Sequence, residues 1–324
     1  MTNMHTYVES NCINICQIVA QKNGQLVYED TWHGFQPDDT LHVMSVTKSV
    51  VSLLIGIAMD QGLIKSVEQP VLDFFPDYKI KRGEKTIQAV TLRHLLTMTA
   101  PYKYRSEPWT KVCISPDWTV AALDLLGGKA GITDTFRYST LGIHILTGII
   151  TKTSGLQTVD FANRYLFAPL GMEAYEGFEA QTAEEHKSFM LSKEPKKRIW
   201  FVDPQGVGTA GYGLCISARD MAKIGQLCLD GGQYDGKRVV SAEWLKESTM
   251  PRLQCDETFA NMGYGYLWWT PDTDRSAYAA LGNSGNAIYI NPENNSVVAV
   301  TGTFKPNIVD RVQFIQQYIE PMLH

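Results

Sequence analysis

MSVTKSVVSLLIGIAM, residues 44–59, sets a serine and a lysine one helical turn apart at the head of a long apolar run. Side chains at i and i+3 share a helix face, and serine is also favoured at a helix N-terminus. The local chemistry therefore fits two readings, an ordinary helix start and a nucleophile beside its base. The run behind the pair is apolar nearly all round, which predicts a buried helix from about Ser45 to Gln61 with Gly62 as its stop. An ammonium on the first turn of a buried helix is costly unless a partner or a reaction uses it. No other serine in the chain has lysine three positions on.

Strand-like segments lie towards the two ends of the chain. NICQIVAQKNGQLVYED (14–30) is two alternating runs around Asn23-Gly24, a strong hairpin signal. After Gly263 come GYGYLWWT, SAYAALGN and AIYINPENNSVVAVTGTF, the last turning between Pro292 and Asn295. Helices fill the middle. One starts at Thr91, one has Ser115 as N-cap and Pro116 at the first position, and one runs over 138–155 from a Ser139 cap to Gly155. Ser217 and Ser241 open two more, and DRVQFIQQYIEPML is an amphipathic helix. Residues 172–205 are polar and weakly periodic and read as an extended loop region. The expected fold class is α+β. An antiparallel β-sheet flanked by helices (1–62 and 206–324) joins a mostly helical domain (63–205), with the site at their interface.

The chain of 324 residues is 44% hydrophobic and 19% charged, ample for a core, with a net charge of −5. Its longest basic cluster is KEPKKR at 193–198, so nucleic acid is not expected as a partner. MTNMHTYVESNC lacks the pattern of a secretory leader, and VVSLLIGIAM is too short to span a bilayer. The expectation is a cytoplasmic protein without a membrane partner, its six scattered cysteines free. Seven histidines without H-E-x-x-H or Cys/His pairing predict no metal, and no cofactor is expected. GVGTAG (206–211) has the spacing of a dinucleotide loop but no preceding strand and no immediate helix, so it reads as a loop. No serine stands in a G-x-S-x-G elbow.

Tyr138 opens YSTLG and is either a second basic group or an aromatic staple on its own helix. SVTK (45–48), YST (138–140) and GNSGN (282–286), in this order, resemble the motifs of the serine β-lactamase and penicillin-binding-protein superfamily. TLRHLLTMTA (91–100), PLGM (169–172) and residues 208–245 resemble its class C branch. That branch includes class C β-lactamases, family VIII carboxylesterases, D-amino-acid peptidases and nylon-oligomer hydrolases. The resemblance, which extends over most of the chain, implies an acyl-enzyme on Ser45, with Lys48 and Tyr138 sharing the proton work. It implies an oxyanion hole from the backbone N–H groups of Ser45 and Asn286, and a Tyr138 phenolate favoured by the lysine. Thr140, Asn283, Ser284 and Gly285 would meet the substrate.

Two departures narrow the substrate. Thr140 stands where the family's second motif usually ends in asparagine, and neutral Asn283 stands where the third usually begins with lysine. Loss of that cation weakens the case for carboxylate-bearing β-lactam or D-alanyl substrates, although Arg137 is a replacement charge. Tyr104 and Trp109, on the Pro-bearing loop PYKYRSEPW, are candidate pocket residues, with packing as the alternative. Tyr102, Trp268 and Trp269 have the same two readings. The expected function is a serine hydrolase of a small-molecule ester or amide. The alternatives are a β-lactamase or D-alanyl peptidase, and a non-catalytic ligand-binding descendant.

Overall fold

In the computed structural model, which describes residues 4–271, 277–306 and 308–323, Asn23 and Gly24 both take positive φ (53° and 71°). That backbone matches the twist of the strands it joins, and it closes a hairpin of β1 (Ile15–Lys22) and β2 (Gln25–Thr31). A short helix, α1 (Met4–Asn11), precedes it, and β3 (Leu41–His42) follows it. The buried helix is α2 (Val46–Asp60), with Ser45 at its N-cap and Gly62 in the left-handed region past its end. Thirteen of its fifteen residues are buried, as the unbroken apolar run predicts.

The middle of the chain is helical. α3 (Leu92–Leu96) opens with a capping box between Thr91 and His94. Then come α4 (Trp109–Cys113), α5 (Trp118–Leu123), α6 (His144–Ser154) and α7 (Thr158–Ala162). Two caps differ from expectation. Asp117, not Ser115, caps α5, its carboxylate accepting from the Val120 N–H at 2.9 Å. α6 starts at His144 rather than Ser139, because a distant carboxylate holds residues 139–141 out of the helix. Residues 172–205 also differ from the expected loop. They form β4 (Glu176–Phe178), α8 (Ala183–Leu191) and β5 (Ile199–Phe201), and β4 and β5 pair in parallel. α8 buries only Phe189, so it carries almost no apolar period to read.

Beyond β6 (Cys215–Ile216), Ser217 caps α9 (Ala218–Leu229), and after the small hairpin β7 (Gln233–Tyr234) and β8 (Lys237–Arg238), Ser241 caps α10 (Ala242–Thr249). Six strands follow: β9 (Leu253–Gln254), β10 (Gly263–Tyr264), β11 (Trp269–Thr270), β12 (Tyr278–Gly282), β13 (Asn286–Asn291) and β14 (Ser296–Gly302). Ser276, in the SAYAALGN segment, lies outside the described residues. One eight-stranded antiparallel sheet runs β2-β1-β14-β13-β12-β11-β10-β9, so both ends of the chain build it. β13 and β14 are buried at every position, with α9 packed against both and α2 against β12 and β13. A helical stretch opening at Val312–Phe314 and running to Leu323 completes the fold.

α2 is itself clamped. The Trp244 indole donates to the Ser52 carbonyl at 3.0 Å, and a Cβ on Gly56 would lie 2.1 Å from the same ring. Gly56→Ala is therefore expected to destabilise the fold by about 1–3 kcal/mol. The check is a lower urea midpoint at unchanged slope.

Candidate active site

A sharp strand-to-helix connection presents Ser45. Between β3 and α2, Met44 takes φ 51°, a left-handed conformation worth about 1 kcal/mol or more of strain in a non-glycine residue. Ser45 caps α2 by position but makes no side-chain capping bond, and its hydroxyl turns to other partners. Lys48, only 2% exposed, donates to the Gly211 carbonyl at 2.6 Å and lies 2.8 Å from Ser45 Oγ. Neither partner is a carboxylate. Burial pushes its amine down to about 7, against the opposing pull of the Glu107 carboxylate.

Tyr138 hydrogen-bonds Ser45 and turns its ring to the Lys48 amine, which lies 4.7 Å from the centroid. The phenolate expected there does not fit this setting. Burial pushes the phenol well above its ordinary value, the Ser45 hydrogen bond opposes that, and Glu107 adds to it. Nor does Tyr138 open a helix. Residues 138–142 form a turn organised by Glu107, whose Oε1 accepts from the backbone N–H groups of Thr140 (2.6 Å) and Leu141 (2.8 Å) and from Ser139 Oγ (2.9 Å). Ser139 Oγ in turn accepts from the Gly142 N–H at 2.9 Å. Nothing local in the sequence marks Glu107, whose partners stand more than thirty positions away.

Two glycines let backbones meet at the centre. A Cβ on Gly211 would lie 2.5 Å from Thr140 Cγ2 and 2.6 Å from the Thr140 carbonyl oxygen. The GVGTAG stretch is thus a close-approach loop that delivers a carbonyl to Lys48. At the end of β12, a Cβ on Gly282 would lie 2.4 Å from the Val43 carbonyl oxygen and 3.0 Å from the Ser45 nitrogen.

Ser45, Tyr138, Thr140 and Asn283 line one pocket of about 110 Å³. Phe259 and Trp269 wall it, and Asp310 stands at it. The other expected residues lie elsewhere. Ser284 Oγ accepts from the Lys305 N–H at 2.9 Å, and Gly285 abuts the Arg311 side chain. Asn286 is wholly buried, donating to the Asn283 carbonyl and accepting from the Gly302 N–H, each at 2.9 Å. These three residues build the hairpin behind Asn283, and the pocket is lined by Asn283 and not by Asn286. Tyr104 is spent on Ser139, its hydroxyl 2.8 Å from Ser139 Oγ. Trp109 packs on Tyr212 and lines a separate apolar cavity of about 610 Å³ between α4 and α8. Tyr102, Trp268 and Trp269 are all buried, and of the three Trp269, at the start of β11, lines the Ser45 pocket. Arg137 is no replacement cation there. It donates to the Tyr102 carbonyl at 3.0 Å and sits over the Tyr104 ring.

All six cysteines are free, and among the described residues no three His, Cys, Asp or Glu side chains converge as a metal site. No helix among them is long and apolar enough to cross a membrane.

Comparison with known proteins places this geometry in context. A family model described as Beta-lactamase matches residues 15–314. The chain is 27% identical over 285 residues to a 6-aminohexanoate-dimer hydrolase of Paenarthrobacter ureafaciens, covering 82% of this chain and 66% of that protein. It superposes on a class C beta lactamase from Rhodobacter sphaeroides with a TM-score of 0.70 at 18% identity, covering 99% of this chain and 98% of that one. A family VIII carboxylesterase superposes with a TM-score of 0.66 at 16% identity, over 94% and 90% of the two chains. At these identities the two structures share the fold.

The depressed lysine predicts a pH profile. If Lys48 serves as base for Ser45, only its uncharged amine can take the proton, and the rate of acylation by an activated ester should then rise with pH through a midpoint near 7. The Glu107 charge holds that midpoint up, so Glu107→Gln should move it to lower pH. Glu107→Ala, which releases the 138–142 turn, should cost roughly 100-fold in acylation rate. Stopped-flow acylation across pH 5–9 reads both effects, and an unmoved midpoint in Glu107→Gln would contradict the assignment.

Proposed function

We propose that this chain, which belongs to the beta-lactamase family, is a serine hydrolase that cleaves a short ester or amide through an acyl-enzyme on Ser45. The observation that carries the reading is a lysine amine with 2% exposure held 2.8 Å from the serine oxygen, without a carboxylate partner. The two titratable neighbours of Ser45 are pushed in opposite directions, Lys48 down and Tyr138 up. Such a split supports Lys48 as the base and Tyr138 as the acid.

Ser45 Oγ attacks the carbonyl carbon while its proton passes to Lys48 Nζ. The carbonyl oxygen takes the negative charge and is held by the Ser45 N–H and by a backbone N–H at Asn283, beside Gly282. The C–O or C–N bond then breaks. Tyr138 supplies the proton to the departing oxygen or nitrogen and recovers one from the Lys48 ammonium. In deacylation water attacks the acyl carbon, its proton goes to the same base, and Ser45 Oγ is reprotonated as the ester bond breaks.

The bond type draws support from the relative named a 6-aminohexanoate-dimer hydrolase, two thirds of whose length this chain spans. The pocket supplies the limit on size. At about 110 Å³ it is well below the roughly 300 Å³ usual for ligand sites. It suits a short acyl group, with the rest of the substrate in the open cleft. With Arg137 turned away and Asn283 neutral, no cation among the described lining residues meets a substrate carboxylate, which weighs against β-lactams and D-alanyl peptides.

A serine-reactive fluorophosphonate should add one label, on Ser45, and p-nitrophenyl acetate should be turned over. Ser45→Ala and Lys48→Ala should each lose about 1,000-fold or more in kcat/KM, and nitrocefin should be a poor substrate. Labelling or turnover that persists unchanged in Ser45→Ala would sink the proposal.

A further inference from the structure

The Ser45 pocket carries a charge that this mechanism does not use. Among its described lining residues Asp310 is the one with a carboxyl or basic side chain. Asp310 accepts the Val312 N–H through Oδ1 at 2.9 Å, one residue ahead of the Arg311 N-cap of the last helical stretch, and among the described residues it makes no ion pair. The cation next to it in sequence is committed elsewhere. Arg311 donates to Asn14 Oδ1 at 2.7 Å and to Cys12 Sγ at 3.3 Å. The same pocket is walled by three rings from three separate segments of the chain. The Tyr138–Phe259, Tyr138–Trp269 and Phe259–Trp269 centroids are 5.7, 6.0 and 5.5 Å apart.

A carboxylate and clustered aromatic faces are complementary to one ligand chemistry, an organic cation. The ring faces attract an ammonium, most of all when it is partly desolvated, and the carboxylate adds a direct charge partner. Resting on the serine-hydrolase reading above, the geometry points to Asp310, Phe259 and Trp269 as a subsite for a positively charged, ammonium-bearing acyl group of the ester or amide. Lys48 does not oppose it, since burial leaves that amine largely uncharged above pH 7. A carboxylate-bearing acyl group meets the reverse field, a second and independent disadvantage for it beside the neutral Asn283.

Three p-nitrophenyl esters of similar shape isolate the charge: 3-(trimethylammonio)propanoate, its neutral isostere 4,4-dimethylpentanoate, and hemisuccinate. At pH 8 and low salt, kcat/KM should fall in that order, the first exceeding the second by roughly tenfold. The cation-to-neutral ratio should shrink as salt screens the charge. It should approach one in Asp310→Asn, a substitution that removes the charge and keeps an oxygen able to accept the Val312 N–H. Taking the ratio cancels any general loss in the variant, and the salt series needs no variant at all. A ratio of one or less in the wild-type protein, or a ratio unmoved in Asp310→Asn, overturns the subsite while leaving the hydrolase intact. Failure of all three esters together with failure of Ser45 to label removes the hydrolase and the subsite with it.

Discussion

The site depends on one constraint, an amine buried beside a hydroxyl with no carboxylate to pair it. A lysine this deep would normally demand a counter-ion, and supplying one would hold it protonated and useless as a base. Here the Gly211 carbonyl takes the amine at 2.6 Å. A neutral acceptor satisfies the hydrogen bond without fixing the charge. That solution has geometric consequences. The 206–213 loop must approach Thr140 so closely that position 211 tolerates no side chain, and the turn carrying Thr140 must be fixed from its other side. Glu107 fixes it, and its three acceptor bonds to residues 139–141 explain why the helix after Tyr138 is delayed to His144.

The sheet supplies the opposite wall. β12 delivers Gly282 against the Ser45 nitrogen, and β12 is registered by β13, whose Asn286 ties both the Asn283 carbonyl and the Gly302 N–H. Gly302 ends β14, which pairs with β1 from the start of the chain. The spacing between Ser45 and the strand therefore depends on segments nearly three hundred positions apart. The charge of Glu107 is the cost of this arrangement, since it pulls the Lys48 amine upward. Burial prevails because Lys48 is almost completely withdrawn from water, whereas Glu107 is engaged by N–H and O–H donors that disperse its charge.

What the sequence made legible follows from how local each signal is. The Asn23-Gly24 hairpin, the run behind Ser45 and the caps at Ser217 and Ser241 are set within a few residues, and the structure contains each of them. α8 carries no legible apolar period because it buries a single residue. Ser115 was displaced as a cap because Asp117, a stronger acceptor two positions on, reaches the Val120 N–H. At the site, the adjacency of Ser45 and Lys48 is a helix-turn property and could be read directly. The separation of Asn283 from Asn286 could not. It turns on which residue of a three-residue hairpin faces the cleft, and positive φ at Ser284 and Gly285 (74° and 82°) turns the chain away after Asn283.

The two departures from the family motifs then have a shared physical meaning. Thr140 lacks the amide that an asparagine would offer, and its side chain instead packs its methyl against Gly211 while its backbone N–H anchors to Glu107. Its contribution is to hold the loop that serves Lys48, and a longer side chain there would have to find room beside that loop. Asn283 lacks a positive charge, and the arginines beside pocket residues in sequence are each bound elsewhere, Arg137 to the Tyr102 carbonyl and Arg311 to Asn14. An added lysine at 283 would sit in the pocket that already holds Asp310, and the two would neutralise each other before meeting any ligand. The absence of the third-motif cation and the presence of a pocket carboxylate are thus one electrostatic choice, and they bias the cleft against anions in the same direction.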